Sequence, residues 1–158
     1  MGSPLGPLFA NVFMVDFERK CMAELKRLGV KKWLRYVDDV FATFADPSVV
    51  DAVLTFLNKQ HKNIRFTIEH EQDGKLPFLD TTVCRGAVYK TTIFRKKTFT
   101  GVYMNLTSLT TKRYKIGLIY CLMDRIWKIC AEQSDRDIEV SKLRTVLARN
   151  GFPPTCRR

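Results

Sequence analysis

The hydrophobic positions of the chain change their spacing several times, and each spacing predicts a different element. Between residues 8 and 28 apolar side chains recur at every fourth position with charged residues between them, which indicates an amphipathic helix. The recurring residues are Phe9, Phe13, Phe17, Cys21 and Leu25. Gly29 follows in a position that commonly ends a helix. The first predicted element is therefore a helix over residues 8–28 with these five side chains on one face.

A β-hairpin and a second helix are predicted next. Residues 33–44 are rich in aromatic and β-branched side chains on both sides of Asp38 and Asp39, which predicts two strands with the acidic pair at or beside the turn. Pro47 is well placed to open a helix that fades near His61. Its apolar stripe contains Val50, Val53, Leu54 and Leu57.

Alternating and turn-forming residues then predict further strands. Ile64, Phe66 and Ile68 alternate with polar residues, as in a half-buried strand. Asp73 and Gly74 predict a turn, after which residues 76–80 lead into a strand that runs through Cys84. Gly86 turns the chain into another strand over residues 88–94.

From about residue 110 the spacing becomes helical again. One apolar face collects Tyr114, Leu118, Leu122, Ile126 and Ile129. A shorter helix is predicted over residues 138–148, ended by Asn150 and Gly151. Two consecutive helices could form a helix-turn-helix-like unit, but that motif needs a tight turn and a reading helix, and the pattern identifies neither. The element order predicts an α+β fold with a boundary near residues 104–108.

Charge changes the picture, because 27 Lys and Arg against 16 Asp and Glu give a formal net charge of +11. Basic residues concentrate in residues 26–35, 90–97 and 112–125. An imbalance of this size and spread is expected for a surface that follows a polyanion such as nucleic acid. A ribosome-like structural role or an anionic membrane surface would also fit.

Membrane spans and cysteine-based sites are not predicted. No apolar run approaches the roughly 18–20 residues that a span needs. The five cysteines are scattered, without a C-x-x-C pair, which indicates neither a zinc site nor a disulfide framework and favours a reduced, intracellular protein, nuclear or cytoplasmic. His61 and His70 stand alone and are interpreted as structural.

Asp38 and Asp39 are the strongest candidates for chemistry. Adjacent carboxylates disfavour each other's ionisation unless a cation or a wet turn compensates. Asp38 could therefore ligate Mg²⁺, which prefers hard oxygen ligands, although a second carboxylate from another strand would be needed. Ordinary turn chemistry is the simpler interpretation of an isolated Asp-Asp pair.

The stretch Tyr36-Val37-Asp38-Asp39 resembles the YxDD box of reverse transcriptases, and Met1-Gly2-Ser3-Pro4-Leu5-Gly6-Pro7 resembles the substrate-contacting loop that precedes it. Residues 66–69 and 76–80 resemble the late palm and primer grip of Penelope-like and related eukaryotic retroelement enzymes, and residues 92–103 resemble the segment that leads into their thumb.

This resemblance implies a partial polymerase palm over residues 1–104, an antiparallel hairpin sheet packed on helices, and a helical thumb-like region over residues 105–158. It implies catalytic roles for Asp38 and Asp39, with Asp38 as the metal ligand. Contacts to nucleotide and template are implied for Gly2, Ser3, Pro4 and Tyr36. A primer grip is implied for Phe78 and Leu79. Contacts to the nucleic-acid backbone are implied for Arg95, Lys96, Lys97, Lys112 and Arg113.

The function implied is that of an RNA-directed DNA polymerase that uses two Mg²⁺ ions, with Mn²⁺ as an alternative. Its partners would be an RNA template, a DNA primer or RNA–DNA duplex, and deoxynucleotides. In this family the first metal-binding aspartate lies on a strand before the Gly-Ser-Pro loop, so Met1 is expected to be a truncation point and the chain to be inactive alone. The alternative is a non-catalytic basic module that binds nucleic acid.

Overall fold

The computed structural model describes residues 4–153, which form an α+β fold with four α-helices and two small antiparallel sheets. The predicted α+β class is confirmed at this level. Contacts divide the chain into two compact units, Met1–Glu69 and His70–Arg158. The boundary predicted near residues 104–108 from the order of the elements is not tested by this partition and stays a prediction.

The first unit contains a long helix, a hairpin and a shorter helix. Helix α1 spans Gly6–Arg27, and strands β1 (Val30–Tyr36) and β2 (Asp39–Phe44) pair antiparallel. A 3₁₀ turn over Pro47–Val49 leads into helix α2, Val50–Gln60. Gly29 adopts a positive φ of 100° directly after α1, as its role at the helix end requires. The predicted helices and hairpin of this unit are confirmed.

The fully buried residues of α1 lie in its C-terminal half. Phe17, Cys21 and Leu25 are buried against residues of the hairpin and α2. Phe9 is 65% exposed, and Phe13 is 44% exposed with its ring centroid 5.3 Å from that of His61, so the predicted apolar face is only partly covered at this end of the helix. Four-residue spacing marks a helix face, but it does not show how far along the helix the neighbouring elements reach.

The strand predicted over residues 64–68 is not formed, because this segment has no strand neighbour. Its backbone is held by a side chain: the Phe66 N–H donates to Asn58 Oδ1 at 2.7 Å, and Asn58 Nδ2 donates to the Phe66 carbonyl at 3.1 Å. The Phe66 ring stacks on Phe17 with centroids 5.7 Å apart. The alternating pattern therefore reports one-sided packing of an extended segment rather than sheet pairing.

The second unit combines a three-stranded sheet with a helix pair. Strands β3 (Lys75–Phe78), β4 (Thr81–Cys84) and β5 (Lys90–Ile93) form an antiparallel sheet in the order β3-β4-β5. Asp73 and Gly74 both have positive φ and make the predicted turn. The strand predicted to run through Cys84 is β4, but the segment over residues 76–80 that was predicted to lead into it instead forms β3 and a turn at Leu79 and Asp80. Leu79 takes a positive φ of 53°, which leucine rarely adopts. A leucine at this position therefore does not predict a turn.

Helices α3 (Lys112–Ile129) and α4 (Gln133–Arg149) pack around a second core that contains Ile126, Cys130, Leu143, Leu147 and Phe152. Tyr114, predicted on the apolar face of α3, instead points away from this core. Helix α4 begins five residues before the predicted start at Ile138.

The end of α4 matches its prediction closely. Gly151 has a φ of 81°, its N–H donates to the Ala148 carbonyl, and the Phe152 N–H donates to the Leu147 carbonyl, both at 3.0 Å. This double bonding is the Schellman motif, in which a glycine just past the helix satisfies two otherwise free carbonyls. Within the described residues, no helix combines the length and apolar character needed to cross a membrane.

Candidate nucleic-acid interface

A three-residue turn, Cys130-Ala131-Glu132, joins α3 to α4. The sheet holds this turn in place: the Ala131 N–H donates to the Thr91 carbonyl at 3.0 Å, and Thr91 Oγ1 donates to the Ile129 carbonyl at 2.6 Å. Lys90 Nζ lies 2.9 Å from Glu132 Oε1. Their hydrogen bond lowers the pKa of Glu132 and raises the pKa of Lys90, so both groups are charged at neutral pH.

Arg136, near the start of α4, also contacts the connection between α3 and α4. Its Nε donates to the Cys130 carbonyl at 2.9 Å, which satisfies a carbonyl at the C-terminal end of α3. Its guanidinium carbon lies 5.1 Å from the centroid of the Trp127 ring, within reach of a cation–π contact. Burial raises the pKa of the Cys130 thiol, so this cysteine packs as a neutral side chain. The two helices are therefore joined by a short, fixed connection.

Sequence reasoning missed this turn because it contains neither glycine nor proline. Hydrogen bonds from the side chains of Arg136 and Thr91 fix this turn, instead of the glycine or proline that usually marks one. The available signal was the polar cluster over residues 132–135, which marks a break between two apolar patterns.

Helix α4 presents a polar outer face. Along it lie small and polar exposed side chains, flanked by cationic ones: Ser134, Asp137, Ser141, Thr145 and Ala148, with Lys142, Arg144 and Arg149 beside them. Lys142 is paired with Glu139 at 2.9 Å. Arg144 and Arg149 have no ion-pair partner within residues 4–153. This face combines two unpaired guanidinium groups with side chains short enough for a partner surface to approach.

The segment before α3 is fastened to the end of α4 by Asn150. Asn150 Nδ2 donates to the Gly101 carbonyl at 2.8 Å, and the Tyr103 N–H donates to Asn150 Oδ1 at 2.9 Å. The Leu106 N–H donates to the Asn150 carbonyl at 3.0 Å. Residues 101–106 thereby join α3 and α4 in one packed arrangement.

The predicted backbone-contacting cations fall into different environments. Arg95 forms its contacts within the fold. Its Nη1 lies 2.5 Å from Oε2 of the buried Glu139, and its guanidinium carbon lies 5.7 Å from the Phe99 ring centroid. Lys96 and Lys97 are exposed on the loop after β5, and Lys112 and Arg113 are exposed at the start of α3. The structure thus leaves four of these five cations free of the core.

A shallow groove in the second unit brings some of them near the predicted primer-grip residues. It is lined by Leu79, Asp80, Phe94, Arg95, Lys96, Thr98, Phe99 and Arg125. Arg125 NH2 lies 3.3 Å from Asp80 Oδ2. Phe78 ends β3 and Leu79 lies in the following turn, where it is partly exposed. Roles for these two residues stay predictions.

The acidic pair occupies the tip of the β1–β2 hairpin. Tyr36 pairs with Asp39 across the strands, so Val37 and Asp38 form the two-residue turn, as predicted. Tyr36, Asp38 and Asp39 are all exposed. Val37 has a φ of 56°, a strained value for a β-branched residue, and its carbonyl accepts a bond from Arg35 NH1 at 3.0 Å.

A buried ion pair anchors this hairpin on α1. Arg35 Nε donates to Glu18 Oε1 at 2.8 Å, and Trp33 Nε1 donates to the same oxygen at 2.9 Å. Arg35 NH2 also donates to Asn11 Oδ1 at 3.0 Å. Sequence reasoning did not identify this network, because Glu18 and Arg35 look like ordinary surface charges in their own elements.

A metal site at the hairpin receives no support from neighbouring side chains. Over residues 4–153, no three His, Cys, Asp or Glu side chains gather closely enough to hold a metal ion. Mg²⁺ can be bound by one or two carboxylates together with phosphates and water, so this finding does not test the roles of Asp38, Asp39 and Mg²⁺, which stay predictions. Pro4 lies exposed before α1, and Gly2 and Ser3 lie outside the described residues.

Comparison with known proteins overturns the reverse transcriptase interpretation. No curated protein and no solved structure matches the chain. A family model described as the animal helix-turn-helix domain matches residues 102–158, where a polymerase thumb was expected. The assignment to a reverse transcriptase, with the polymerase, nucleotidyltransferase and retroelement functions that followed from it, is therefore wrong.

The physical reason for the error is that a basic helix pair after a sheet has the same sequence pattern in both interpretations. The YxDD likeness, together with the Gly-Ser-Pro loop before it, then decided between them, although a two-residue hairpin turn also accounts for an exposed Asp-Asp pair. An RNA template, a primer and deoxynucleotides stay unconfirmed as partners. The helix-turn-helix alternative, set aside for lack of a tight turn, has that turn at residues 130–132. The C-terminal region of this chain, residues 102–158, is similar to the animal helix-turn-helix domain.

Proposed function

We propose that the chain is a nucleic-acid-binding protein whose C-terminal helix pair binds duplex DNA, with α4 as the helix that enters the major groove. The observation that carries this proposal is that the family match covers the same residues in which α3, the three-residue turn and α4 are joined. In helix-turn-helix modules the second helix lies in the major groove and the first crosses the backbone.

The outer face of α4 suits that role. The major groove is about 12 Å wide and admits one α-helix. Ser141 and Thr145 can exchange hydrogen bonds with base edges, and the methyl groups of Thr145 and Ala148 can contact thymine methyls. Arg144 and Arg149 stand beside them without partners of their own among the described residues and can neutralise phosphates.

The net charge of +11 supports the same partner class. Neutralising phosphates releases condensed counterions, so affinity for DNA falls with added salt in proportion to the number of cationic contacts. A protein that binds through the α4 face should show this dependence, and the slope should change when that face is altered.

The test compares two charge-reversed variants of the full chain. Arg144→Glu/Arg149→Glu alters the α4 face, whereas Lys31→Glu/Lys32→Glu makes the same change in formal charge at two exposed lysines of β1. Binding to a duplex oligonucleotide is measured by fluorescence anisotropy at several salt concentrations. We expect the α4 variant to lose at least about tenfold in affinity and about two units of salt slope, and the β1 variant to lose little.

Equal losses in both variants would show that only total charge matters, and unchanged binding in the α4 variant would exclude this face. Circular dichroism spectra of the two variants check that each retains its helices.

A further inference from the structure

The outer face of α3 contains an exposed glycine, Gly117, that neither the fold nor the proposed DNA-binding role of α4 explains. We call the gap between side chains at Gly117 the notch. Gly117 lies in the middle of this 18-residue helix and is exposed. A Cβ added at Gly117 would meet no atom within 4 Å. Its φ is not positive, so the backbone does not require glycine there.

Glycine is one of the least favoured residues inside a helix, because it has the most backbone freedom to lose on folding. A helical glycine is useful where another molecule must approach the backbone closely. A Cβ at Gly117 would meet no other atom of the described residues within 4 Å, so packing within the fold does not explain the glycine, and close approach of a partner would.

Two tyrosines flank the notch. Tyr114 precedes Gly117 by three residues and is 64% exposed, and Tyr120 follows it by three residues and is 71% exposed. Positions three apart on a helix are neighbours on one face. With a rise of about 1.5 Å per residue, the Cα atoms of the tyrosines are separated by roughly 9 Å along the axis. The two tyrosines also diverge by about 120° around the helix axis, with Gly117 midway between them, so an exposed aromatic residue borders the glycine on each side.

The charge next to the notch is positive. Arg113 lies one turn before Gly117 on the same face, whereas Lys112 lies about 140° around the helix from Gly117. Both are exposed, and neither has an ion-pair partner within residues 4–153. Further along the helix, Lys128 is paired with Asp124 at 2.7 Å. The unpaired cations are thus concentrated at the tyrosine end of the helix.

From this combination we infer that the Tyr114–Gly117–Tyr120 face of α3 is a second binding site, which takes unpaired bases of single-stranded nucleic acid. Exposed aromatic rings beside cationic side chains are how proteins bind single strands without reading sequence, since every base has a face to stack. The glycine lets a base or its sugar reach the helix surface between the rings. Arg113 neutralises a phosphate that flanks it, and Lys112 adds positive charge at the same end of the helix.

This site is separate from the proposed duplex-binding face of α4, and either can fail without the other. The test uses the full chain and a labelled 15-nucleotide oligothymidylate, which forms no duplex. A second probe has the same length and phosphates but abasic sites in place of the central bases. Fluorescence anisotropy gives the affinity for each.

Tyr120→Ala is expected to weaken binding to the oligothymidylate by at least about fivefold, the low end of what stacking one base contributes. Tyr120→Phe, which keeps the ring, is expected to bind as the unaltered chain does. On the abasic probe the difference between Tyr120→Ala and the unaltered chain should vanish. Tyr89→Ala removes another exposed tyrosine of the second unit and serves as the matched control.

Gly117→Ala gives the sharpest result, because the two expected effects have opposite directions. The added methyl group meets open space and improves the helix, so the melting temperature should rise by about 2–5 °C. The same methyl group fills the notch, so affinity for the oligothymidylate should fall at least about threefold.

Four results would overturn the proposal. The first is unchanged single-strand binding in Tyr120→Ala, and the second is an equal loss in Tyr89→Ala. The third is full affinity in Gly117→Ala. The fourth is a change of molecular mass in Tyr120→Ala by light scattering, which would assign the face to contacts between copies of the chain.

Discussion

At the scale of single residues, a few polar side chains hold stretches of backbone that have no regular neighbours. Asn58 takes the place of a strand partner for Phe66, and Asn150 fixes the segment that enters α3. An amide side chain can do this because it carries both a donor and an acceptor, like a peptide group. A backbone group left buried without such a partner costs about 1–3 kcal/mol.

Asn150 allows the first prediction at this scale. Asn150→Ala leaves the Gly101 carbonyl and the Tyr103 N–H without their partners, so we expect unfolding of the second unit to require about 2–4 kcal/mol less free energy. Urea unfolding followed by circular dichroism measures the loss. Asn63→Ala, at an exposed position, is the control and should stay within about 0.5 kcal/mol of the unaltered chain. A loss of stability as small as that of the control would contradict this prediction, because it would show that water replaces the hydrogen bonds of the Asn150 side chain.

At the scale of elements, the prediction from sequence was best where one local pattern decides the structure. Short-range chemistry accounts for the end of α1 at Gly29, the end of α4 at Gly151, the β1–β2 hairpin and the Asp73-Gly74 turn. The prediction failed at the turn after α3, which Thr91, distant in sequence, holds together with Arg136. It also failed at the Leu79 turn, which has a positive φ that leucine rarely adopts.

The candidate site shows the same limit. The basic residues and both helices of the C-terminal region were predicted, but the turn that makes them a helix-turn-helix-like pair was not. Its contacts come from β5, about forty residues earlier in the chain. Periodicity within a helix carries no information on such contacts, so the helical pattern could not predict this turn.

The packing of the hairpin on α1 supports a prediction about paired elements. Arg35→Met leaves the Glu18 carboxylate, whose side chain is only 15% exposed, without its cation. We expect the free energy of unfolding to fall by about 3 kcal/mol. The double variant Glu18→Leu/Arg35→Met removes both charges, and its loss should be smaller than that of Arg35→Met alone.

Chemical denaturation of the three proteins gives this comparison. Arg19→Met, which removes the cation of an exposed pair on the same helix, should cause no measurable change. A double variant with a lower free energy of unfolding than Arg35→Met would contradict this prediction. It would show that the Glu18–Arg35 pair stabilises the fold by more than the cost of burying its charges.

At the scale of the whole molecule, the two units carry different chemistry. The first exposes an acidic hairpin tip, and the second carries the helix pair with its unpaired cations. If the helix pair is the binding module, the first unit should be dispensable for contact with DNA. The acidic tip should lie away from the bound phosphates, because like charges repel.

Hydrogen–deuterium exchange of the full chain, with and without a saturating duplex oligonucleotide, tests the central claim most directly. The account predicts slower exchange in peptides that cover residues 112–149 and unchanged exchange in peptides that cover residues 30–44. Slower exchange at residues 30–44 with none at residues 112–149 would contradict it, because the nucleic acid would then lie on the hairpin.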